Sequence, residues 1–169
     1  EVAVAPFAQA LRAALFDAGQ NFMEQFTSSP SGVEDVFAQL EPPVPSGAIL
    51  SGTTSAKFVN GTVQFTNLIL NKVGLYRLRI QGVFAGAFVT AVTAQFTIVP
   101  GPYASIVFSQ EPSIGRGGLP LLVQPIVDLL DGGGNLATSS VGTVSLDLID
   151  GPFGEGNFMN LSATSVTTV

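Results

Sequence analysis

One stretch near the middle of the chain, residues 59–80, constrains the fold more than any other. Within it, Asn60 and Gly61 separate two β-prone runs, AKFV and TVQF. An Asn-Gly pair at such a place is typical of a two-residue hairpin turn, because both residues accept a positive φ. Over residues 76–80, Tyr, Leu and Ile then alternate with two arginines, which is the period of a strand with one buried face. The stretch therefore predicts antiparallel β-structure.

The overall composition indicates the same fold class and argues against several partners. The 169 residues include 19 glycines, and their Val-, Thr- and Phe-rich runs favour short strands and tight turns over helices. A net charge of −6 without a basic run argues against nucleic acid and anionic membranes as partners. Since the chain has no cysteine, no disulfide framework indicates a compartment. The first residues, EVAV, lack the basic region and cleavage pattern of a secretory signal.

Residues 80–110 contain no Asp, Glu, Lys or Arg, and a membrane helix is one interpretation of this stretch. Threonine and glutamine side chains interrupt it, and Pro-Gly-Pro at 100–102 ends it. Over residues 93–98, Ala, Phe and Ile alternate with Thr, Gln and Thr, which favours a strand. We therefore expect no membrane insertion in this chain.

The chain contains an internal duplication. The segment DAGQN at 17–21 corresponds to DGGGN at 131–135, which lies 114 residues later (131 minus 17). Two further matches follow in the same order: VFAQL with VSLDL at an offset of 108, and ILSGTTS with FMNLSAT at an offset of 109. Co-linear matches with small changes in offset indicate two copies of one unit.

The duplication decides how residues 7–16 are interpreted. Their sequence, FAQALRAALF, is helix-like by propensity, because Ala, Leu, Gln and Arg dominate it. The corresponding segment of the second copy, LLVQPIVDLL, contains a proline and three β-branched residues and makes a poor helix. We therefore predict that both segments are strands that lead into a Gly/Asn turn.

The duplication divides the chain into residues 1–100 and 101–169, joined by a short, stiff Val-Pro-Gly-Pro at 99–102. The strand-like segment after the joint, YASIVFSQ, has no counterpart in the first copy, and the hairpin region has none in the second. We expect the first unit to lack its first strand and the second to lack its last three. We also expect the chain to be part of a longer repeat protein and to be unstable as an isolated monomer, because sheet edges are left uncovered.

A second motif follows the hairpin. Leu70, Gly74 and Tyr76 have the spacing Leu-x3-Gly-x-Tyr, which is the pattern of the tyrosine corner in immunoglobulin-like sandwiches. In that corner the tyrosine hydroxyl bonds to upstream backbone, so we predict a bond from Tyr76 to the backbone between Leu70 and Lys72. Two residues later antibody domains have a cysteine, and this chain has Leu78. We therefore expect Tyr76 and Leu78 to be core residues of a sandwich without a disulfide.

Several segments together resemble a known class of proteins: SIVFSQEPS, the D-x-G-x-N turn, AILSGTTSAKFVNGTVQFTNLIL, VGLYRLRI and FTIVPGP. They are similar to the immunoglobulin-like repeats of large cell-surface proteins, which occur in tandem in bacterial invasin- and adhesin-type proteins. Algal and protist surface or flagellar-hair (mastigoneme-type) proteins also carry them. The resemblance covers nearly the whole chain. It implies an all-β fold of tandem immunoglobulin-like β-sandwiches, both truncated here.

The resemblance also implies a function. Such repeats are extracellular or at the cell surface, and they serve as structural spacers of a stalk or filament. Their partners are then other repeats of the same longer chain or neighbouring copies in an assembly, and glycans. One alternative is an adhesin-type binding module that recognises a glycan or a protein. Another is an accessory domain of a secreted enzyme.

The sequence offers little for catalysis, since it has no histidine and no cysteine. Of the carboxylates, Asp147 and Asp150 have a spacing that puts them on opposite faces of a strand. Glu34 and Asp35 precede a strand in a Ser/Gly-rich segment, where we interpret them as a solvated loop end. The glycine-rich segments GRGG and GGG lack the lysine of a phosphate-binding loop and are interpreted as turns. We expect no catalytic residue and no cofactor.

Calcium is a weak alternative at the duplicated turn. Its oxygen-bearing side chains, Asp17 with Asn21 and Asp131 with Asn135, recur at the same place in both copies. Calcium takes about six to eight oxygen ligands, however, and each turn offers two such side chains. Asp and Asn also favour tight turns by bonding to their own backbone. We therefore prefer the turn-forming interpretation.

Two further features concern the surface. Asn60 and Asn160 each begin an Asn-x-Ser/Thr sequence, which makes them glycosylation candidates. Most of the phenylalanines fit core positions of strands. Phe84 and Phe88 surround the turn in GVFAGAF and are the exceptions, which we predict to form an exposed contact patch.

Overall fold

The computed structural model describes residues 3, 5–28, 35–84, 86–139, 142–146 and 162–163. Within these residues every regular element is a strand, and every ladder is antiparallel. The all-β prediction is therefore confirmed. The described residues form no helix of the length and apolar character needed to span a membrane.

The described strands, in chain order, are β1 Leu11–Ala14, β2 Val36–Leu40, β3 Leu50–Ser51, β4 Ser55–Ala56, β5 Thr62–Phe65, β6 Ile69–Leu70, β7 Gly74–Tyr76, β8 Leu78–Phe84, β9 Ala87–Val92, β10 Phe96–Ile98, β11 Tyr103–Gln110, β12 Ile126–Asp131, β13 Val144–Ser145 and β14 Ser162–Ala163. The strand interpretation is thus confirmed for both segments that were ambiguous in the sequence. Residues 7–16 contain β1, and residues 80–110 contain most of β8 and all of β9, β10 and β11.

The largest sheet of the described part has four strands in the order β4-β2-β8-β9. In its centre β2 and β8 pair without interruption from Val36 opposite Gly82 to Leu40 opposite Leu78. The other described strands form two-stranded sheets: β1-β5, β3-β6, β7-β10, β11-β12 and β13-β14.

Two layers enclose the main core. One layer is the sheet β4-β2-β8-β9, and the other contains β1 and β5. Alternate residues of β8 point into the space between them, so Leu78, Ile80 and Phe84 are buried. The buried members of this core are Leu15, Val36, Ala38, Phe58, Val63, Phe65, Leu68, Leu78, Ile80 and Phe84. The fold is therefore all-β and sandwich-like, and its immunoglobulin-like assignment stays a prediction.

The Asn-Gly turn forms as the sequence predicts. Asn60 and Gly61 have φ angles of 49° and 70°. Val59 and Thr62 exchange two backbone hydrogen bonds, of 2.7 and 3.0 Å. The prediction that AKFV and TVQF pair as one hairpin is wrong, however, because β4 pairs with β2 and β5 pairs with β1. The two runs separate beyond Val59 and Thr62 because each supplies a different layer of the core.

The chain changes sheets again at Arg77. Tyr76 ends β7, which pairs with β10, and Leu78 begins β8, which pairs with β2. Both side chains are 1% exposed, so their predicted place in the core is confirmed. Arg77 itself is exposed, as the alternating pattern requires.

The last described strands repeat a pairing of the first unit, at an offset that differs from the one the sequence match predicts. Val144 of β13 lies opposite Ala163 of β14, as Val36 lies opposite Ala56. Ala56 and Ala163 are 107 residues apart, whereas the sequence match of this region predicts an offset of 109. The sequence alignment of this region is therefore shifted by two residues, because short runs of Ser and Thr do not identify the register in which strands pair.

Candidate functional site

The turn at the end of β12 is held by a single carboxylate. Asp131 Oδ1 accepts hydrogen bonds from the backbone N–H groups of Gly133 and Asn135, both at 2.9 Å. The side-chain amide of Asn135 donates to the same carboxylate at 2.9 and 3.0 Å. The backbone closes the turn, since Asp131 N donates to Asn135 O at 2.8 Å and Gly134 N donates to Asp131 O at 3.0 Å. The DGGGN sequence thus forms a compact, internally bonded turn.

The turn at 17–21 has the same hydrogen bonds. Asp17 Oδ1 accepts from Gly19 N at 2.9 Å and from Asn21 N at 2.8 Å, and the Asn21 side-chain amide donates to the carboxylate at 3.1 and 3.2 Å. Asp17 N donates to Asn21 O, and Gln20 N donates to Asp17 O, each at 3.0 Å. Every donor and acceptor lies 114 residues before its counterpart in the second turn.

The correspondence extends to the residues that surround the turns. Phe16 and Phe22 form an isolated antiparallel bridge, and so do Leu130 and Leu136, their equivalents at the same offset. Gln20 adopts the left-handed conformation that its equivalent glycine adopts, with φ angles of 63° and 71°. Gln20, which stands where the second turn has Gly134, therefore keeps the turn geometry.

The two turns differ in what covers them. Asp131 is 2% exposed and Asn135 is 6% exposed, whereas Asp17 and Asn21 are both exposed. The same hydrogen-bonded turn is therefore buried in the second copy and exposed in the first. The groups that cover the second turn belong to the first unit and to the joint, as the contacts below show.

The side-chain amide of Asn135 contacts the loop between β6 and β7. Its Nδ2 donates to the carbonyl oxygen of Asn71 at 2.9 Å. Its Oδ1 accepts the backbone N–H of Val73 at 3.2 Å. The N–H group and the oxygen of the Asn135 amide therefore both pair with backbone groups of this one loop. Asn71 is itself positioned, because its Oδ1 accepts from Ile49 N at 2.7 Å and its Nδ2 donates to Gly47 O at 3.2 Å.

Two further bonds join the second turn to the joint and to the first unit. Asp131 Oδ2 accepts the backbone N–H of Gly101, in the joint, at 2.9 Å. Lys72 Nζ donates to the carbonyl oxygen of Gly133 at 2.7 Å. We call the whole set the joint site. It consists of Asn71, Lys72, Val73, Gly101, Asp131, Gly133 and Asn135.

The predicted tyrosine corner supports the joint site from inside the first unit. The Tyr76 hydroxyl donates to the carbonyl oxygen of Lys72 at 2.8 Å, which confirms the bond that the sequence predicts. Gly74 has a φ of 145°, and a Cβ at this position would lie 2.7 Å from Cγ of Pro45. Lys72 is thus fixed at its backbone by Tyr76 while its ammonium group reaches the second turn. Burial raises the pKa of Tyr76.

The acid–base properties of the two aspartates reflect their hydrogen bonds. Burial of Asp131 acts to raise its pKa, but bonds from Asn135, Gly101 and Gly133 outweigh burial and leave the pKa below its ordinary value. The pKa of Asp17 is also lowered, chiefly by the backbone and side-chain bonds from Asn21. Both turns therefore favour an ionised carboxylate.

The geometry of the turns favours the turn-forming interpretation over calcium binding. N–H groups donate to both carboxylate oxygens of Asp131, and a cation would have to displace them. In the part of the chain that the structure describes, no group of three or more His, Cys, Asp or Glu side chains lies together.

The other predicted positions fall in different places. Asn60 is exposed at the tip of its turn, and Asn160 lies outside the described residues. Phe88 is 63% exposed, as predicted. The prediction is wrong for Phe84, which is 6% exposed and packs edge-on against Phe58 with ring centroids 5.2 Å apart. The two phenylalanines therefore do not form one patch, because Phe84 lies on the inward face of β8.

Of the four carboxylates that were considered for catalysis, only Asp35 lies among the described residues. Asp147, Asp150 and Glu34 lie outside the described residues. Asp35 forms an ion pair of 2.8 Å with Lys57 and is partly buried, so its interpretation as a solvated loop end is wrong. The acidic side chain of Asp35 is held by a cation on the neighbouring strand end.

Sequence analysis singled out only one side of the joint site. Asp131 and Asn135 are visible because their turn is repeated. Asn71, Val73 and Gly101 contribute backbone groups, which carry no sequence pattern, and Lys72 is a single charged residue between Lys57 and Arg77. No family model, curated protein or solved structure matches the chain.

Proposed function

We propose that this chain is a structural segment of a large extracellular protein, in which tandem immunoglobulin-like units form a semi-rigid stalk or filament. The observation that carries the proposal is the joint site, where the turn of the second unit is bonded to a loop of the first. A spacer requires units whose relative angle is fixed. Buried hydrogen bonds between units are a direct way to fix it.

The joint site restricts bending because its two central side chains, Asp131 and Asn135, are buried. Net contributions of about 0.5–1.5 kcal/mol are typical of neutral hydrogen bonds, and about 1.5–3 kcal/mol of bonds to charged groups. Hinge opening would leave Asp131 and Asn135, which are 2% and 6% exposed, without their partners outside the turn until water replaced them. The short Val-Pro-Gly-Pro joint adds to this restraint, since two prolines fix φ beside Gly101.

The bonds are also specific in direction. The Asn135 amide needs a carbonyl and an N–H two residues apart in one loop, and Asn71 and Val73 provide them. Lys72 extends over the turn to Gly133. All of these donors and acceptors pair in one relative orientation of the two units, so the bonds fix the angle between the units.

Residual dipolar couplings on the full chain test the proposal. Amides of β2 and β8 report the orientation of the first unit, and amides of β11 and β12 report that of the second. We expect one alignment tensor for both sets in the wild-type chain. Asn135→Ala should give two different tensors, because the amide that pairs with the loop is removed.

Asn21→Ala is the matched control, because it removes the equivalent amide of the exposed turn. We expect it to leave a single alignment tensor. Independent tumbling of the two units in the wild-type chain would refute the structural proposal.

A further inference from the structure

The exposed turn at 17–21 offers the same groups that the buried turn uses. In the second unit Asp131 Oδ2 holds Gly101 N and Asn135 holds Asn71 O and Val73 N. In the first unit Asp17 and Asn21 have the same internal bonds and are exposed. Because the equivalent turn binds a loop of the first unit in this structure, we expect the exposed turn to bind a loop of the same kind.

The neighbouring strand supports the same partner. In the second unit β12 pairs with β11, and Tyr103 lies opposite Asp131. The strand that corresponds to β12 in the first unit is β1, which pairs with β5 on one edge and with no other described strand. An open cleft of about 200 Å³ lies beside this second edge, between β1 and the strands β8 and β9.

The lining of the cleft suits a further strand. Apolar side chains from both layers line it, among them Leu15, Phe58, Ile80, Phe84 and Val89. β11, the strand that occupies the corresponding place in the second unit, has the apolar run Ile106, Val107 and Phe108. A strand of this type matches the cleft in backbone pairing and in chemistry.

We infer that the open edge of β1 and the exposed Asp17–Asn21 turn together form a docking surface for a preceding repeat unit of the same kind. The linker strand of that unit, of the β11 type, pairs with β1. Its loop of the Asn71–Val73 type bonds to Asn21, and a glycine N–H of the Gly101 type bonds to Asp17. This inference deepens the proposed function and rests on it.

The contacts of the docked state follow from the offset of 114 residues. Gly19 is the equivalent of Gly133, so its carbonyl oxygen accepts the ammonium group of the lysine in the incoming loop. The partner therefore presents one lysine, one carbonyl and two N–H groups.

A fusion chain tests the inference directly. Residues 1–115 are placed ahead of Val2 of the full chain, so that Asp17 follows a Gly101 by 30 residues, as Asp131 does. The added segment is labelled isotopically, and exchange of its Val73 and Gly101 amide hydrogens with solvent is measured. The same two amides of the native joint site, measured in the unfused chain, set the expected level of protection.

We expect the added Val73 and Gly101 amides to reach that level, and Asn21→Ala in the following unit to speed their exchange about tenfold or more, the factor for about 1.4 kcal/mol. Asn135→Ala in the same fusion chain is the control and should leave them unchanged. Fast exchange of both amides in the fusion chain would overturn the inference. If the native joint site is protected and the added amides are not, the inference alone is overturned. If the native joint site also lacks protection, the result counts against the proposed function as well.

Discussion

Asn135 donates its side-chain amide to the carbonyl oxygen of Asn71, a residue 64 positions earlier in the chain, across a distance of 2.9 Å. The bond joins two units that the sequence separates at a Pro-Gly-Pro junction. Because Asn135 is 6% exposed, water does not replace the bond while the joint site is closed. The stability of the joint site should therefore depend on this one side chain.

Asn135→Ala should lower the free energy of unfolding of the joint site by about 1–3 kcal/mol, the range for buried groups left unpaired. The substitution removes the partners of Asn71 O and Val73 N while Asp131 keeps its backbone bonds. Chemical denaturation followed by amide signals of both units measures the effect. Asn21→Ala in the exposed turn should cost less, and equal losses for both variants would contradict the role of the joint site.

Tyr76→Phe should lower the free energy of unfolding of the first unit by about 1–3 kcal/mol. The ring stays packed, but the carbonyl oxygen of Lys72 loses the hydroxyl that donates to it at 2.8 Å. Thermal or chemical denaturation measures the loss. Tyr103→Phe is the control, because Tyr103 is 56% exposed and its change should stay within about 0.5 kcal/mol. A Tyr76→Phe chain as stable as the wild type would show that the corner contributes no net stability.

The joint site should weaken in acid. The pKa of Asp131 is lowered from its ordinary value of 3.8, because hydrogen bonds to the ionised carboxylate outweigh the effect of burial. A lowered folded-state pKa means that the stabilisation is complete above 3.8 and is lost as pH falls below it through the folded value. Exchange of the Gly101 amide hydrogen between about pH 5 and about pH 2, corrected for intrinsic rates, measures the loss.

Asp131→Asn removes the titrating group and should flatten this dependence of Gly101 protection on pH. Asp17→Asn is the matched control, since Asp17 also has a lowered pKa but does not contact Gly101. A wild-type chain whose Gly101 protection does not change on acidification would rule out a role for the ionised carboxylate.

Gly61→Ala should destabilise the turn between the two layers by more than Gly86→Ala. Both glycines have positive φ angles, of 70° and 80°, so both substitutions carry the cost of a left-handed alanine, about 1–2 kcal/mol. At Gly61 an added Cβ would also clash with the carbonyl oxygen of Met23, whereas at Gly86 nothing lies within 4 Å. Equilibrium denaturation of the two variants compares the costs, and equal losses would show that the close approach to Met23 relaxes freely.

The sequence by itself determined the strands and the local turns. Alternation in residues 76–80 predicted which side chains are buried, because neighbouring residues of a strand point to opposite faces. Asn60 and Gly61 predicted their turn, and the spacing around Tyr76 predicted its hydroxyl bond, since each depends on residues a few positions apart. The repeat of DAGQN as DGGGN likewise predicted two equal turns.

Only the tertiary structure decided which strands pair and where the turns dock. β4 and β5 flank one turn yet join different sheets, because the core needs apolar faces from both layers. Phe84 is buried although its neighbours in sequence suggest a surface turn, because it lies on the inward face of β8. Asp17 and Asp131 have the same local bonds, but only Asp131 is covered, because a loop 60 or so residues earlier folds back over it. Backbone N–H and C=O groups form that loop's half of the joint site, and such groups are the same in every residue, so no pattern of side chains reveals them.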